Sequence, residues 1–219
     1  MIRLKKLQQE KAAAAAAAMG SKSTNSSSSN NNTNNTDISQ SVAFMRAKKD
    51  LQEYEEIPSV EITYDRNDPM HIKLIIIPDN GYYYGGKFEF ECTIPENFPN
   101  SSPEFKCLNK IYHPNIDIEG HVCLNILRND WKPTLTLQLV FAGILHLFLQ
   151  PNPNDPLNKI AANDLAKFPD QFARHVRDSM IGSYVGNEKF DRVITISERN
   201  NYNGGSTTSR YNRSFNNFY

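Results

Sequence analysis

The stretch HPNIDIEGHVCLN, residues 113–125, places one cysteine in a short polar loop. Cys123 is surrounded there by turn-forming residues and by the polar side chains of Asp117, Glu119 and His121. Structural cysteines behave as small hydrophobic residues and are usually buried in apolar strands or helices. The polar setting of Cys123 therefore indicates a chemical role.

The composition is that of one globular domain with additional tails. The 219 residues are 39% hydrophobic, which is enough for one ordinary core. The 24 basic and 24 acidic residues cancel, so we expect neither nucleic acid nor an anionic membrane as a partner. The three cysteines fit neither a disulfide framework nor a CxxC zinc site, which favours free thiols in a reducing compartment. The longest apolar run, residues 135–149, is too short to span a bilayer.

Composition divides the chain into four segments. Residues 20–41 are rich in Ser and Asn and have one large apolar side chain, which predicts a disordered linker. Residues 199–219 are again rich in Asn, Ser and Gly and predict a disordered tail. Residues 1–19 form a detached peptide of strong helix formers. The folded domain is expected to comprise residues 42–198.

The first half of the folded domain has the pattern of one helix followed by strands. The helix is predicted to begin after Ser41, its N-cap, and to end at Ile57, before Pro58. Its apolar stripe has helical spacing and consists of Phe44, Ala47, Leu51 and Tyr54. Alternating apolar residues then predict strands over residues 60–64, 88–94 and 104–108, and the apolar run 72–77 predicts a further strand between the first two.

Helices are predicted in the second half of the folded domain. The stretch WKPTLTLQLVFAGILHLFL is apolar on almost all sides and predicts a helix buried at the centre. Asp155 and Pro156 have the order of an N-cap and a first helical residue, which predicts the start of the next helix. A last helix is predicted from Pro169, with a stripe of Phe172, Val176 and Met180. This order of elements indicates an α+β domain with an antiparallel meander.

Four motifs carry a resemblance to a known family. The chain contains YHPN, a cysteine eight residues beyond Asn115, the loop WKPTLTL and the turn PNPNDPLN, in this order. Residues 42–195 thereby resemble the ubiquitin-conjugating enzyme family, and most closely the branch that conjugates the Nedd-type modifier. The resemblance implies the ubiquitin-conjugating fold, with an N-terminal helix, a four-stranded antiparallel meander, a long active-site loop, a buried central helix and C-terminal helices.

The resemblance also implies an activity. Such an enzyme accepts a Nedd-type modifier from its activating enzyme as a thioester on Cys123 and transfers it to substrate lysines, expected here to be on cullins. Because the activating enzyme consumes the ATP, we expect no cofactor bound to this chain, and we expect a monomer in the cytoplasm and nucleus. Conjugation of ubiquitin itself and a non-catalytic partner module of the same fold are the alternatives, and the presence of Cys123 with Asn115 favours an enzyme.

Three further residues are candidates for the reaction. Asn115 follows a proline in a loop, so it is either a turn residue or, as in the family, a donor to the oxyanion formed when lysine attacks. Asp155 is expected both to cap a helix and, by the resemblance, to lie beside the thioester. The resemblance also implies that Tyr112 helps to orient the incoming lysine. Cys92 and Cys107 belong to strand patterns and are interpreted as core residues.

Two histidines near Cys123 permit a different interpretation, that of a cysteine protease in which an imidazole deprotonates the thiol. The sequence does not otherwise resemble a protease. We therefore interpret His113 as a loop histidine whose hydrogen bonds are satisfied, and His121 as facing solvent. No metal is expected, because no His/Cys cluster has the spacing of ligands.

The resemblance implies two sets of partner contacts. RING-type ligases are expected to contact the first helix and two loops, one containing Phe98 and the other containing Trp131 and Pro133, although Trp131 could also be a core aromatic residue. Asn100 and Ser102 depart from the family pattern, which has a large apolar residue and a proline at these positions.

The N-terminal peptide is the second implied contact region. Leu4 and Leu7 lie one helical turn apart, with Ile2 nearby, and these three residues are predicted to dock on the activating enzyme. Lys5 replaces the aromatic residue that the branch has there. The alternative is a frayed tail without function.

Overall fold

The structure, a computed structural model, describes residues 41–194. The predicted docking peptide with Ile2, Leu4 and Leu7, the linker up to residue 40 and the predicted tail lie outside the described residues. Within the described range, none of the helices is long and apolar enough to cross a membrane.

Helix α1 spans Val42–Gln52 and begins as predicted, because the Ser41 hydroxyl accepts a hydrogen bond from the N–H of Phe44 at 3.1 Å. The predicted end at Ile57 is wrong. After Gln52 the chain continues as an irregular connection, where the Tyr54 ring packs edge-on against Phe141 with centroids 5.9 Å apart. This tertiary contact, and not a fourth helical turn, explains the apolar side chain of Tyr54.

The four predicted strands form one antiparallel sheet in the order β1-β2-β3-β4, which confirms the meander. Its strands are β1 (Val60–Asp65), β2 (Asp68–Ile76), β3 (Phe88–Thr93) and β4 (Glu104–Cys107). The register pairs Leu74 with Phe90 and Phe90 with Cys107, so buried side chains of three strands line up on one face. This face forms one side of the core.

Three helices follow the sheet. Helix α2 spans Leu137–Leu149 with Thr136 as its N-cap, and its buried residues cover the sheet, as predicted for the central helix. Helix α3 spans Lys159–Lys167, and helix α4 spans Pro169–Met180 with Phe172, Val176 and Met180 buried. A two-stranded hairpin that the sequence did not predict, β5 (Tyr184–Val185) with β6 (Glu188–Lys189), follows α4.

The predicted cap of α3 is wrong. The N-cap is Asn158, whose side-chain oxygen accepts a hydrogen bond from the N–H of Ala161 at 3.1 Å. Asp155 lies three residues earlier, with a φ of 53° in the left-handed region. Asp tolerates this conformation better than most residues. The left-handed turn ends with the Asp155 carboxylate at Cys123 instead of at the start of the helix.

Candidate active site

The polar loop that carries Cys123 is fastened to the sheet at Gly120. The carbonyl oxygen of Gly120 accepts a hydrogen bond from the N–H of Cys107, in β4, at 2.8 Å. Gly120 has a φ of 90°, and a Cβ atom there would collide with the Cys107 carbonyl oxygen. Only glycine therefore allows this close approach. Three residues further on, the N–H of Cys123 donates to the carbonyl oxygen of Asn115 at 2.8 Å, which closes the loop.

The Cys123 sulfur lies between a cation and a carboxylate. Arg128 Nη1 is 3.0 Å from Cys123 Sγ, and Asp155 Oδ2 is 3.6 Å from the same atom. Arg128 Nη1 and Asp155 Oδ2 are themselves 3.4 Å apart, so the three groups form a triangle. The side chains of Arg128 and Asp155 are 51% and 75% exposed. Cys123 itself is 7% exposed, so a nucleophile from solvent reaches the sulfur past these two exposed side chains.

The other two cysteines lie in the core, as predicted. Cys92 and Cys107 are 1% and 3% exposed. Burial raises the pKa of the Cys92 thiol, and it raises the pKa of Cys107 to about 12, because the thiolate form is poorly solvated there. Neither thiol is set up as a nucleophile at neutral pH.

Asn115 is held by the backbone of the segment after α2. Its Nδ2 donates to the carbonyl oxygen of Asn152 at 2.9 Å, and its Oδ1 accepts from the N–H of Asn152 at 2.9 Å. These contacts support the structural interpretation of Asn115. A side-chain amide carries two N–H bonds, and the pairing uses one of them, so the geometry is also compatible with a second donor role.

His113 is a buried loop histidine with both ring nitrogens paired, as predicted. Its Nδ1 accepts from the N–H of Asn115 at 3.0 Å, so Nε2 carries the proton and donates to the Leu147 carbonyl oxygen at 3.1 Å. Burial lowers the pKa of His113 to about 3, because the imidazolium form is poorly solvated there. His113 stays neutral and connects α2 with the active-site loop.

His121 is exposed, as predicted, and lies in a surface turn with two acidic residues. Its Nδ1 is 2.8 Å from Asp117 Oδ2, while Asp117 Oδ1 accepts from the N–H of both Glu119 and His121. The ligand atoms of these three side chains lie within 4.8 Å of one another. The Asp117 carboxylate is used to hold the turn, which accounts for the cluster.

Tyr112 lies in the core, and its hydroxyl donates to Asp164 Oδ2 at 2.7 Å. Burial and, secondly, this hydrogen bond to a carboxylate raise the pKa of Tyr112. Gln171 and His175 also bond the buried Asp164 carboxylate, at 3.1 and 2.8 Å. Tyr112 therefore connects the active-site loop with α3 and α4, and its position does not support the predicted role in orienting lysine.

The two predicted ligase loops pack against each other. Phe98 is 1% exposed, so its side chain supports the loop and cannot itself be a contact, contrary to the prediction. Trp131 is half-buried against Phe98 and donates its indole N–H to the Pro99 carbonyl oxygen at 2.8 Å. Pro133 is exposed, and Ser102 Oγ donates to the Leu127 carbonyl oxygen at 2.7 Å. The departure at position 102 thus supplies a new hydrogen bond beneath the loops.

Sequence reasoning missed Arg128 and Asn152. Arg128 follows a single 3-10 turn, Asn125–Leu127, which turns its side chain back towards Cys123. The only local signal was a basic residue five positions after the cysteine. Asn152 pairs through backbone atoms, so its side-chain identity carries no signal.

Known proteins are similar to this chain in sequence and in fold. The family model described as "Ubiquitin-conjugating enzyme" matches residues 46–180. A NEDD8-conjugating enzyme ubc12 from Schizosaccharomyces pombe is 52% identical over 157 residues, which cover 70% of this chain and 88% of the relative. A NEDD8-conjugating enzyme UBC12 from Yarrowia lipolytica is 47% identical over 156 residues, with coverages of 70% and 87%. The solved structure of S. cerevisiae Ubc12 is 35% identical with a TM-score of 0.68, covering 89% of this chain and 98% of that chain.

The matched region contains the whole candidate site. Residues 46–180 include Asn115, Cys123 and Asp155 and all of the sheet. The predicted α+β fold is confirmed both by the family model and by the solved relative. The chain therefore belongs to the ubiquitin-conjugating enzyme family.

Proposed function

We propose that this chain conjugates NEDD8: it accepts the modifier from an activating enzyme as a thioester on Cys123 and transfers it to lysine side chains. The similarity to enzymes named NEDD8-conjugating, at 47% and 52% identity, supports the choice of modifier. One structural observation supports the chemistry. Cys123 alone among the three cysteines has its sulfur beside exposed ionisable groups, Arg128 and Asp155, where the other two lie among core side chains.

Transfer to lysine needs a neutral amine, and Asp155 is placed to supply one. Its carboxylate lies 3.6 Å from the sulfur and is largely exposed, so an ammonium group can bind to it before attacking the thioester carbonyl. Loss of the amine proton to Asp155 or to water then leaves the nucleophile. Asn115 stabilises the same step by holding the loop and by offering its second amide N–H to the oxyanion.

The proposal includes the partners that this pathway needs. RING-type ligases contact the exposed Pro133 and the partly exposed Trp131, with Phe98 as a buried support, and cullins are the substrates. The activating enzyme consumes the ATP, and the chain acts as a monomer without a bound cofactor. Its free thiols suit the cytoplasm and nucleus.

A parallel charging assay tests the modifier. The full chain is incubated with ATP and either NEDD8 with its activating enzyme or ubiquitin with its activating enzyme, and reductant-sensitive adducts are quantified over time. We expect NEDD8 to be charged preferentially, with a Cys123→Ala variant as the blank for both reactions. Preferential charging with ubiquitin would replace NEDD8 by ubiquitin in the proposal, and the absence of both adducts would favour a non-catalytic module.

The N-terminal peptide is proposed to dock on the activating enzyme through Ile2, Leu4 and Leu7. A linker of about 22 residues has a root-mean-square reach of about 25 Å. This reach allows the peptide to dock on the activating enzyme while the catalytic domain stays at that enzyme's thioester. Such tethering raises effective concentration and not reactivity. Deleting residues 1–19 should therefore raise the concentration needed for half-maximal charging and leave lysine transfer from preloaded Cys123 unchanged. Identical charging across the concentration range would reject docking.

A further inference from the structure

Arg128 is the cation in contact with the reacting sulfur. It caps the C-terminal end of the 3-10 turn Asn125–Leu127, where its own N–H donates to the Asn125 carbonyl oxygen at 3.0 Å. The same turn directs Nη1 to Cys123 Sγ, at 3.0 Å, and to Asp155 Oδ2, at 3.4 Å. One guanidinium atom is thus shared between the thiol and the carboxylate.

The shared contact solves an electrostatic conflict at this site. Asp155 is needed near the thioester, yet its carboxylate lies 3.6 Å from the sulfur. When the thioester breaks, the sulfur takes up negative charge, and two like charges at this distance repel each other. A guanidinium that bonds both groups offsets this repulsion, and hydrogen bonds to charged acceptors are the strong ones.

We propose that Arg128 is a catalytic residue that stabilises the Cys123 sulfur as the leaving group. The amine nitrogen forms a bond to the thioester carbonyl carbon, and the carbonyl π electrons move to oxygen. A lysine ammonium has given its first proton to Asp155 or water before this attack, and the nitrogen of either nucleophile then loses its next proton to water. The oxyanion then re-forms the carbonyl, the C–S bond breaks, and its electron pair leaves on sulfur as a thiolate that Arg128 Nη1 hydrogen-bonds.

This role acts in one direction of the reaction cycle. In release, negative charge on the sulfur is absent from the thioester and develops in the transition state, so a donor to sulfur lowers the barrier. In charging, the sulfur begins as the attacking thiolate and loses its negative charge. There the donor stabilises the reactant more than the transition state and gives no acceleration. Loss of Arg128 should therefore slow release and spare charging.

The proposed role differs from that of Asp155 in its dependence on the nucleophile. Asp155 acts on the attacking amine, so it matters for lysine, which is protonated in solution at neutral pH. It should matter little for hydroxylamine, which is already neutral. Arg128 acts on the sulfur, which leaves in every release reaction. An Arg128 effect should therefore appear with both nucleophiles.

Single-turnover release from preloaded full-length chain tests this proposal, which rests on the proposed thioester chemistry at Cys123. The thioester is prepared with whichever modifier the unaltered chain accepts, and its decay is followed with free lysine and with hydroxylamine. We expect Arg128→Gln to slow both reactions by about tenfold. This loss is smaller than the 10²–10³-fold loss of rate on removing a buried oxyanion donor, because the Arg128 side chain is half exposed. Arg128→Lys, which keeps the positive charge, should slow release less than Arg128→Gln does.

Two controls decide the interpretation. Lys132→Gln removes an exposed positive charge four residues further along the chain and should release at the unaltered rate. Asp155→Asn should slow lysine and spare hydroxylamine. The proposal is overturned if Arg128→Gln slows only lysine, since Arg128 would then act through Asp155, or if it leaves both rates unchanged. Failure of the unaltered chain to form any thioester counts against the proposed function instead.

Discussion

Asn115 and Asn152 form a two-point clamp, in which the side-chain amide of Asn115 both donates to and accepts from the backbone of Asn152, each at 2.9 Å. Asn115 is 2% exposed, so a truncated side chain would leave the carbonyl and N–H of Asn152 without these partners. We expect Asn115→Ala to lower the free energy of unfolding by about 1–3 kcal/mol. Denaturant titration measures this loss. Asn115→Asp, which keeps the acceptor but sets a buried carboxylate oxygen against the Asn152 carbonyl oxygen, should lower the free energy of unfolding at least as much.

The same variant separates the two roles of Asn115. If the second amide N–H supports the oxyanion, Asn115→Ala should charge almost normally and release to lysine more slowly, by on the order of 10². Charging and single-turnover release are measured on the same preparation, with the folded fraction checked by circular dichroism. Equal losses in both steps would assign the whole effect to the clamp.

The sheet and the core could be predicted because their signals are local. Residues 88–94 alternate apolar and polar side chains, and the structure buries every second one, with Phe90 facing Leu74 across the strands. The end of α1 and the cap of α3 could not be predicted in this way. Tyr54 keeps helical spacing but packs on Phe141 from an irregular segment, and a left-handed turn places the Asp155 carboxylate at Cys123.

The candidate site was predictable only in part, for a related reason. Cys123 has an unusual local context, and the resemblance to the family led to Asp155, which lies 32 residues away. The contact between Arg128 and the sulfur depends on how one 3-10 turn directs a long side chain. The hydrogen bond of the Tyr112 hydroxyl depends on Asp164, which lies in helix α3. Residue type and spacing do not encode such contacts.

Charging should depend on Cys123 alone among the three cysteines. Burial raises the pKa of Cys92 and of Cys107, so neither is a competent thiolate at neutral pH. Cys123→Ala should abolish charging, and Cys123→Ser should give an oxyester that resists thiol reductants. Cys107→Ala is the matched control and should charge normally per folded molecule. The adduct is quantified by comparing non-reducing with reducing gels. An adduct that survives Cys123→Ala and disappears with Cys107→Ala would refute the assignment.

His113 should make the stability of the domain dependent on pH. Its pKa is lowered by burial from 6.5 to about 3, so the unfolded chain binds a proton that the folded chain excludes. The stabilisation is complete above pH 6.5 and is lost as the pH falls towards 3, at about 1.4 kcal/mol per unit. Between pH 7 and pH 5 this residue should cost about 2 kcal/mol of unfolding free energy.

Denaturant titrations at these two pH values test the contribution of His113. His113→Gln cannot titrate, so its loss of unfolding free energy on acidification should be about 2 kcal/mol smaller than that of the unaltered chain. His121→Gln removes an exposed imidazole and is the matched control for replacing a histidine by glutamine. A His113→Gln variant with the same pH dependence as the unaltered chain would contradict the prediction.

Gly143 in α2 gives room to the turn that follows Cys123. A Cβ atom at Gly143 would lie 2.9 Å from Ile126 Cδ1 and 3.1 Å from Leu124 Cδ2, so Gly143→Ala should push this turn, and with it Arg128, away from the sulfur. The ends of the Ile126 and Leu124 side chains should absorb part of this clash, and the turn should move to relieve the remainder. Because Ala also favours the helix, the free energy of unfolding should change by less than about 1 kcal/mol. Release to lysine should slow by up to about tenfold, which is less than the roughly 10²-fold loss of rate expected when a catalytic group is misplaced by 1 Å. Adding Ile126→Val, which removes Cδ1, should restore much of the single-turnover rate. A double variant that is no faster than Gly143→Ala would show that this contact does not position the site.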